Sequence, residues 1–600
     1  MPYFLISYFL FPIPQFPMSL KKYFTRRRII VTLLVLLSVY WFCFRGVALR
    51  ISPETTKITE PRTADGKRVD YFQALVALSD PKVPPRENGF RMVAEALGRI
   101  PFENINMNYW TEMCRKLDLD PMAPPTTTYY KKTRPLFEAA NTELGVTTPL
   151  DDPARFVDLP EGTPEDSPFL WNMDRAAQDL IQTKFERMQE SPWTGEEDLF
   201  MPFMELYIWD ISPVLDLLGE AVRKEVYFIP MIERKIESEA GTISDILLPC
   251  IQAQREFSRD LNRRIMYFLA KGELDRAIDD TITIFRLGQH LQKENLVVTR
   301  YVGKAIQEIG FPAAVHILRD SGLTMEQVGR LMKALDDLPV KSSTADMYLA
   351  VEYMMYDTIS ALSGKRYAFN LFLGQSVYGE PQRKPLLDWL NYYGYDWNTV
   401  AEKAGKIYRR RIDVLNEPDP VKREKMKDEL WTEMSLIDQR YKKPSSYWRM
   451  IFVSTRSKMM GERVGMDYIS FAPNSFAPRQ LIDYEKVIHE GDAIVHLLRL
   501  ACALELYKND EGRYPAKLDK LQGKYLQEIP GDPCTETLEP FRYRLEERDI
   551  DESGQVRYGY LLYGLGSGGK DHGGKTSLKI PGTEDLYIHS KEAYNLPIRQ

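Results

Sequence analysis

Between residues 242 and 335, apolar side chains recur at steps of three and four through four successive stretches, a spacing that admits helices and little else. Thr242–Ala270 carries Ile246, Cys250, Ala253, Phe257, Leu261, Ile265 and Phe268 in this register. Leu274, Ile278, Ile282 and Phe285 continue after a break at Lys271-Gly272, and Val298, Val302, Ala305 and Ile309 form a third helix, ended by Gly310 and Pro312. Thr324 and Gln327 make a capping box that opens a fourth, with Val328, Leu331 and Leu335. Short connections make neighbours antiparallel, so the spacing predicts a packed domain of helical hairpins. Thr344–Leu362 reads as a further helix, with Met347, Met354 and Met355 as core filler. Val421–Leu436 is charged nearly all round and reads as a solvated helix. The aromatic-rich Leu387–Trp397 segment reads as core packing ahead of an interaction patch.

A chain of 600 residues accommodates roughly four domains. Its 44% hydrophobic, 12% aromatic and 27% charged residues exclude collagen, a mostly disordered chain and a protein of many membrane spans. Residues 1–50 hold seven basic and no acidic side chains, leaving 72 Lys and Arg against 85 Asp and Glu and a net charge of −13 for the rest. An acidic bulk repels phosphate backbones, so nucleic acid is not expected as a partner. Six His and five Cys, scattered, are poor material for a metal or thiol enzyme.

Near the N-terminus, Ile29–Phe44 is uncharged over 16 residues and follows Lys21, Lys22, Arg26, Arg27 and Arg28. Such a run spans about 24 Å, and snorkelling by Arg28 and Arg45 would fit it to the bilayer. The expectation is one transmembrane helix with a cytoplasmic basic leader, placing the bulk of the chain outside the cytoplasmic (inner) membrane. No small-x-small site follows the run, so an uncleaved anchor is preferred to a signal peptide. Residues 1–17 are apolar but broken by Pro12, Pro14 and Pro17, and Met18 begins a natural basic leader, MSLKKYFTRRR.

After Pro478 a long helix is expected to reach about Lys508, with Tyr484, Val487, Ile488, Gly491, Ile494, Val495, Leu498 and Cys502 on one face. Two strands follow, Phe541–Leu545 and Gln555–Tyr563, joined by a turn containing Ser553-Gly554 and closed by a glycine loop, Gly564 to Gly574. This order resembles the C-terminal domain of type II secretion major pseudopilins. The residues that carry it are Tyr507, Gly512, Tyr514-Pro515, Leu518, Tyr525-Leu526, Pro530, Asp532-Pro533, Pro540 with Tyr543, and Tyr563 with Gly566, Gly569 and Gly573. The resemblance covers about a fifth of the chain, and the whole looks like bacterial membrane-anchored proteins of unassigned function that carry this module at their end. A prepilin-peptidase site is missing before Ile29, so a polymerising subunit is not implied. Family members bind calcium in the terminal loop. One of their Asp positions is Gly568 here, which leaves Asp571, Glu584 and Asp585 as candidate ligands and calcium as the one cofactor implied.

The fold class expected is therefore mainly α: one N-terminal transmembrane helix, antiparallel helical hairpins, and a small C-terminal α+β pseudopilin-like module. The domains run 1–28 (basic leader), 29–44 (span), 50–168 (mixed and linker-rich, with Pro-rich punctuation at Met122–Thr128 and Thr148–Pro168), 169–478 (helical) and 479–600 (module).

Several patterns imitate chemistry. Gly569–Thr576 has the spacing of a nucleotide P-loop, and Gly564, Gly566 and Gly569 that of G-x-G-x-x-G. Pro581-Gly582 leaves no room for the helix both need, so no nucleotide is expected. Asp549, Asp551, Ser553 and Gly554 begin like an EF-hand loop, but its twelfth position is Tyr560. His489-Glu490 begins like a zincin helix, but Ala493 stands where the second His is needed. His290 and His316 read as packed or surface residues, and Cys502 with Cys534 as a pair able to meet in a disulfide. Tyr267–Leu291 resembles one tetratricopeptide unit, yet no 34-residue echo exists and a plain helical hairpin fits better. No reaction and no catalytic residue emerges. The reading is a membrane-anchored extracytoplasmic binding or scaffold protein of an envelope or secretion-related assembly, with protein partners taken through residues 479–600. The alternative is an envelope hydrolase with a carboxylate site in the helical domain, marked by two carboxylates about 5–10 Å apart in a deep pocket.

Overall fold

The computed structural model describes residues 26–43, 46–99, 107–127, 183, 186–193, 201–232, 235–236, 239–240, 249–320, 322–341, 344–364, 394–442, 452–470, 481–535, 537–550, 556–566, 571, 573 and 586–589. It is mainly helical. In chain order the helices are α1 (Arg26–Cys43), α2 (Tyr71–Ser79), α3 (Gly89–Leu97), α4 (Met107–Leu117), α5 (Met201–Val222), α6 (Pro249–Lys271), α7 (Leu274–Gln292), α8 (Val297–Arg319), α9 (Met325–Asp336), α10 (Thr344–Gly364), α11 (Trp397–Asn416), α12 (Pro420–Lys442), α13 (Val453–Ser470) and α14 (Leu481–Glu511). A minimal hairpin joins β1 (Lys235–Ile236) to β2 (Glu239–Ala240), and β3 (Arg542–Ile550), β4 (Val556–Gly564) and β5 (Leu586–His589) form an antiparallel sheet in that order. Contacts divide the chain into two units, one of residues 1–71 and 355–478, the other of 72–354 and 479–600, with the boundary inside α10.

The expected transmembrane helix at 29–44 is corrected. Among the described residues no helix is long and apolar enough to cross a membrane. The helix that forms there, α1, has 18 residues and opens on Arg26, Arg27 and Arg28. Its uncharged remainder reaches about 22 Å, short of the roughly 30 Å hydrocarbon core.

In the first unit α11 and α13 pack face to face, and glycines set their approach. A Cβ on Gly461 would lie 2.8 Å from Lys403 Cβ, and one on Gly465 would lie 2.9 Å from the Ala404 carbonyl oxygen. Tyr395 and Trp397 are buried, as core packing requires, whereas 387–393 lies outside the described residues. Val47 pairs with this segment, its N–H donating to Tyr395 O at 2.9 Å while Trp397 N–H donates to Val47 O at 3.0 Å. On α12, Leu430, Met434 and Ile437 are buried, so one apolar edge seats a helix that is otherwise largely solvated.

The second unit is built on α6–α9 and α14. The turn after α6 uses Gly272 at φ +74°, a conformation glycine adopts without Cβ strain, and α7 returns antiparallel. Helix α8 does not end at Gly310 and Pro312 but runs through both to Arg319. Proline deletes one backbone hydrogen bond, yet Ala313, Ala314, Ile317 and Leu318 beyond it are buried, and that burial outweighs the loss. Gly310 is tolerated for a separate reason: a Cβ there would meet Ile284 Cγ2 of α7 at 2.7 Å. The capping box on α9 forms as read, Thr324 Oγ1 accepting from Gln327 N at 3.3 Å.

Helix α14 differs from its reading as a one-faced amphipath. Besides Ile494, Val495, Leu498 and Cys502, it buries Ala493, Leu497, Leu500, Ala501, Ala503 and Leu504. Helices α8 and α9 pack on it, as do β4 and β5, so little of its circumference between Gly491 and Leu504 meets water. Strand β5, absent from the sequence reading, adds Ile588 opposite Leu562. Cys502 and Cys534 are both buried thiols that are not joined in a disulfide.

Candidate functional site

Three polar residues interrupt the apolar surface of α14 at Asp492, His496 and Arg499, spaced four and three apart and therefore on one face. That face looks onto the end of α9 and the segment that follows it. A cavity of about 220 Å³ lies between them, with polar walls from Asp492, His496, Arg499, Asp336 and Gln289 and apolar walls from Leu335, Leu338, Pro339, Val340 and Val495. This is smaller than the ~300–1,000 Å³ of drug-sized sites.

The charges are matched. Arg499 Nε lies 2.5 Å from Asp336 Oδ1, and Lys341 Nζ lies 2.6 Å from Asp492 Oδ1. His489 stands at the other oxygen of Asp492, 3.9 Å away. Burial pushes the Asp492 carboxyl up, but His489 and the Lys341 ammonium outweigh it and hold the group down at about 2. Burial pulls Lys341 below its ordinary value, with Asp492 opposing. His496 is also lowered, chiefly by burial and against the field of Asp492, so its ring is neutral at pH 7. Its Nδ1 is 3.4 Å from Gly531 O. A carbonyl can only accept, so Nδ1 carries the hydrogen and Nε2 is left as an acceptor.

The far wall is fixed by a relay of amides. Gln292 Nε2 donates to Gln307 Oε1 at 2.7 Å, Gln307 Nε2 to Gln289 Oε1 at 3.1 Å, and Gln289 Nε2 to Pro339 O at 2.9 Å. The chain orients Gln289 and pins the 338–340 backbone. Gly491 allows α14 to lie on it, since a Cβ there would meet Gln307 Oε1 at 2.8 Å and Gln292 Oε1 at 2.9 Å. Next door, Lys304 bridges Glu308 at 2.5 Å and Glu490 at 2.7 Å, which accounts for the Glu490 of the zincin-like pair.

The residues singled out from sequence fall elsewhere. Asp571 closes its own loop, accepting from Gly573 N at 2.7 Å and from the Tyr563 hydroxyl at 3.2 Å, with Arg542 Nε 3.9 Å away. Glu584 and Asp585 lie outside the described residues, as do Asp551–Gly554 and most of the P-loop-like run. Among the described residues no group of three or more His, Cys, Asp or Glu is placed to hold a metal ion. His290 is buried and bonds Val222 O at 3.0 Å, and His316 bonds Glu190 O at 3.2 Å.

Sequence reading passed over Asp492, His496, Arg499, Asp336, Lys341 and Gln289. The available signal was the Asp-x-x-x-His-x-x-Arg stripe, three polar residues on one side of an otherwise apolar helix. No protein-family model, no curated protein and no solved structure matches the chain.

Proposed function

We propose that this chain is a binding and scaffold protein that works outside the cytoplasm, in an envelope or secretion-related assembly. The observation that carries the binding role is the pocket on α14, whose ionised groups are already paired and whose walls are set by the glutamine relay. A preformed, charge-balanced cavity is suited to holding a ligand. The compartment and the kind of assembly rest on the resemblance of residues 479–600 to the pseudopilin C-terminal domain.

A hydrolase reading needs a carboxyl kept protonated beside one kept ionised. Two carboxylates, Asp336 and Asp492, do line the pocket, but each is held in an ion pair and Asp492 is held down at about 2. That favours binding over acid catalysis.

Deleting residues 479–600 would be a poor test, because α14 fills the core of the second unit. Lysine-directed crosslinking of the full chain in intact envelopes, read by mass spectrometry, suits the structure better. Lys517 and Lys520 are exposed on the terminal segment, and Leu538 nearby is 63% exposed. The expected result is capture of a defined envelope protein through these lysines, weakened by Leu538→Glu. Crosslinks confined to the chain itself would refute the scaffold role.

A further inference from the structure

The geometry points to a neutral, polyhydroxylated ligand the size of one sugar ring in the pocket on α14, an inference that rests on the binding role proposed above. Formal charge is the first argument. The lining holds two carboxylates and one guanidinium; Asp336 faces Arg499 at 2.5 Å, and Asp492 faces Lys341, which lies outside the lining, at 2.6 Å, so both carboxylates are already paired. An anion would sit against two carboxylates, and a cation would find both of them engaged, one by the guanidinium that also lines the cavity. A zwitterion would have to pull both pairs apart, at the cost of desolvated charges left unmatched.

A hydroxyl group breaks neither pair. Asp336 has acceptor capacity beyond its contact with Arg499, as Asp492 has beyond those with Lys341 and His489, Arg499 has N–H groups beyond Nε, and neutral His496 leaves Nε2 as an acceptor. A guanidinium donor and carboxylate and imidazole acceptors thus line one cavity, a set that adjacent hydroxyls, each both donor and acceptor, can satisfy. Gln289 is held by the relay at both ends of its amide, which fixes its orientation in the wall. Leu335, Leu338 and Val495 supply an apolar wall for the C–H face of a ring. The volume of about 220 Å³ limits the occupant to a single small ring.

The test uses the purified full chain and isothermal titration with glucose, galactose, mannose, N-acetylglucosamine and N-acetylgalactosamine, with alanine and inorganic phosphate as zwitterionic and anionic counter-probes. At least one sugar is expected to saturate, with alanine and phosphate silent. Asp492→Asn should weaken that sugar by ~10-fold or more, the scale of losing a charged hydrogen-bond partner. Val340→Trp provides an independent check. Val340 is 83% exposed, so the larger side chain obstructs the cavity without entering the core, and the thermal transition should hold while affinity falls. Saturation by no sugar, tighter binding of alanine or phosphate, or sugar binding unchanged in a folded Val340→Trp chain would each overturn the assignment. Crosslinking of the parent chain and the same variants in intact envelopes separates the two proposals. Partner capture without sugar binding refutes the ligand alone, and sugar binding without capture refutes the scaffold role alone.

Discussion

Glu294 and His290 lie one turn apart beside the largely buried 226–232 segment and hold opposite pH dependences. Burial raises the Glu294 carboxyl to about 8, against weaker lowering by the Ile229 N–H and the Thr299 hydroxyl. Burial lowers His290 to about 4, against its bond to the Val222 carbonyl. A carboxyl raised on folding binds more protons in the native state, so stability falls as pH climbs from the unfolded value near 4.5 to about 8. A histidine lowered on folding binds fewer, so stability rises from about 4 to 6.5. Above pH 6.5 the Glu294 effect acts without the opposing one, and each pH unit there costs about 1.4 kcal/mol. Melting temperatures taken from pH 6.5 to 8 at fixed ionic strength should fall for the parent chain and stay level for Glu294→Gln. An equal fall in the variant would assign the slope to another group. At this scale sequence reading fared worst: Glu294 is one of 85 acidic residues, and only burial sets it apart. Asp532 is similar. It is fully buried and ties Cys534 N at 2.9 Å and Leu565 N at 2.7 Å, joining the Pro530–Pro533 turn to the end of β4.

At the scale of elements, the α7–α8 contact rests on two glycines whose importance is invisible in the chain. A Cβ on Gly288 would lie 2.7 Å from both Gly303 O and Gln307 Cγ, and one on Gly303 would lie 2.8 Å from Gln292 Cγ. Gly303→Ala therefore forces the helices apart and disturbs the relay behind the pocket. A loss of ~1–3 kcal/mol in denaturant titration is expected, against the small gain that a glycine-to-alanine change brings in an unobstructed helix. An unchanged or raised midpoint would show that the pair yields. Thr324→Ala removes one side of the α9 capping box and should cost about 1 kcal/mol by the same measurement. The cap and the hairpin register were legible because they are local: a short stretch of chain contains every atom involved. The passage of α8 through Pro312 was not, since what sustains it comes from the burial of Ala313, Ala314, Ile317 and Leu318.

At the scale of the molecule, the terminal segment is no appendage to the second unit. Leu497, Leu500 and Leu504 of α14 are fully buried, and Leu500→Ala should cost about 2–5 kcal/mol in equilibrium unfolding. A chain stopped at Pro478 should lose the cooperative transition of this unit, whereas a separable module would leave it intact. By itself the sequence determined a mainly helical protein, the hairpins between residues 249 and 335, the cap at Thr324 and the antiparallel pairing of β3 with β4, because period, caps and turns act over short distances. Tertiary structure alone decided that α14 is buried on nearly every side between Gly491 and Leu504, and that Asp336 meets Asp492, His496 and Arg499 in one pocket. Those outcomes depend on which surfaces meet across more than a hundred residues of chain, and residue spacing carries no record of such meetings.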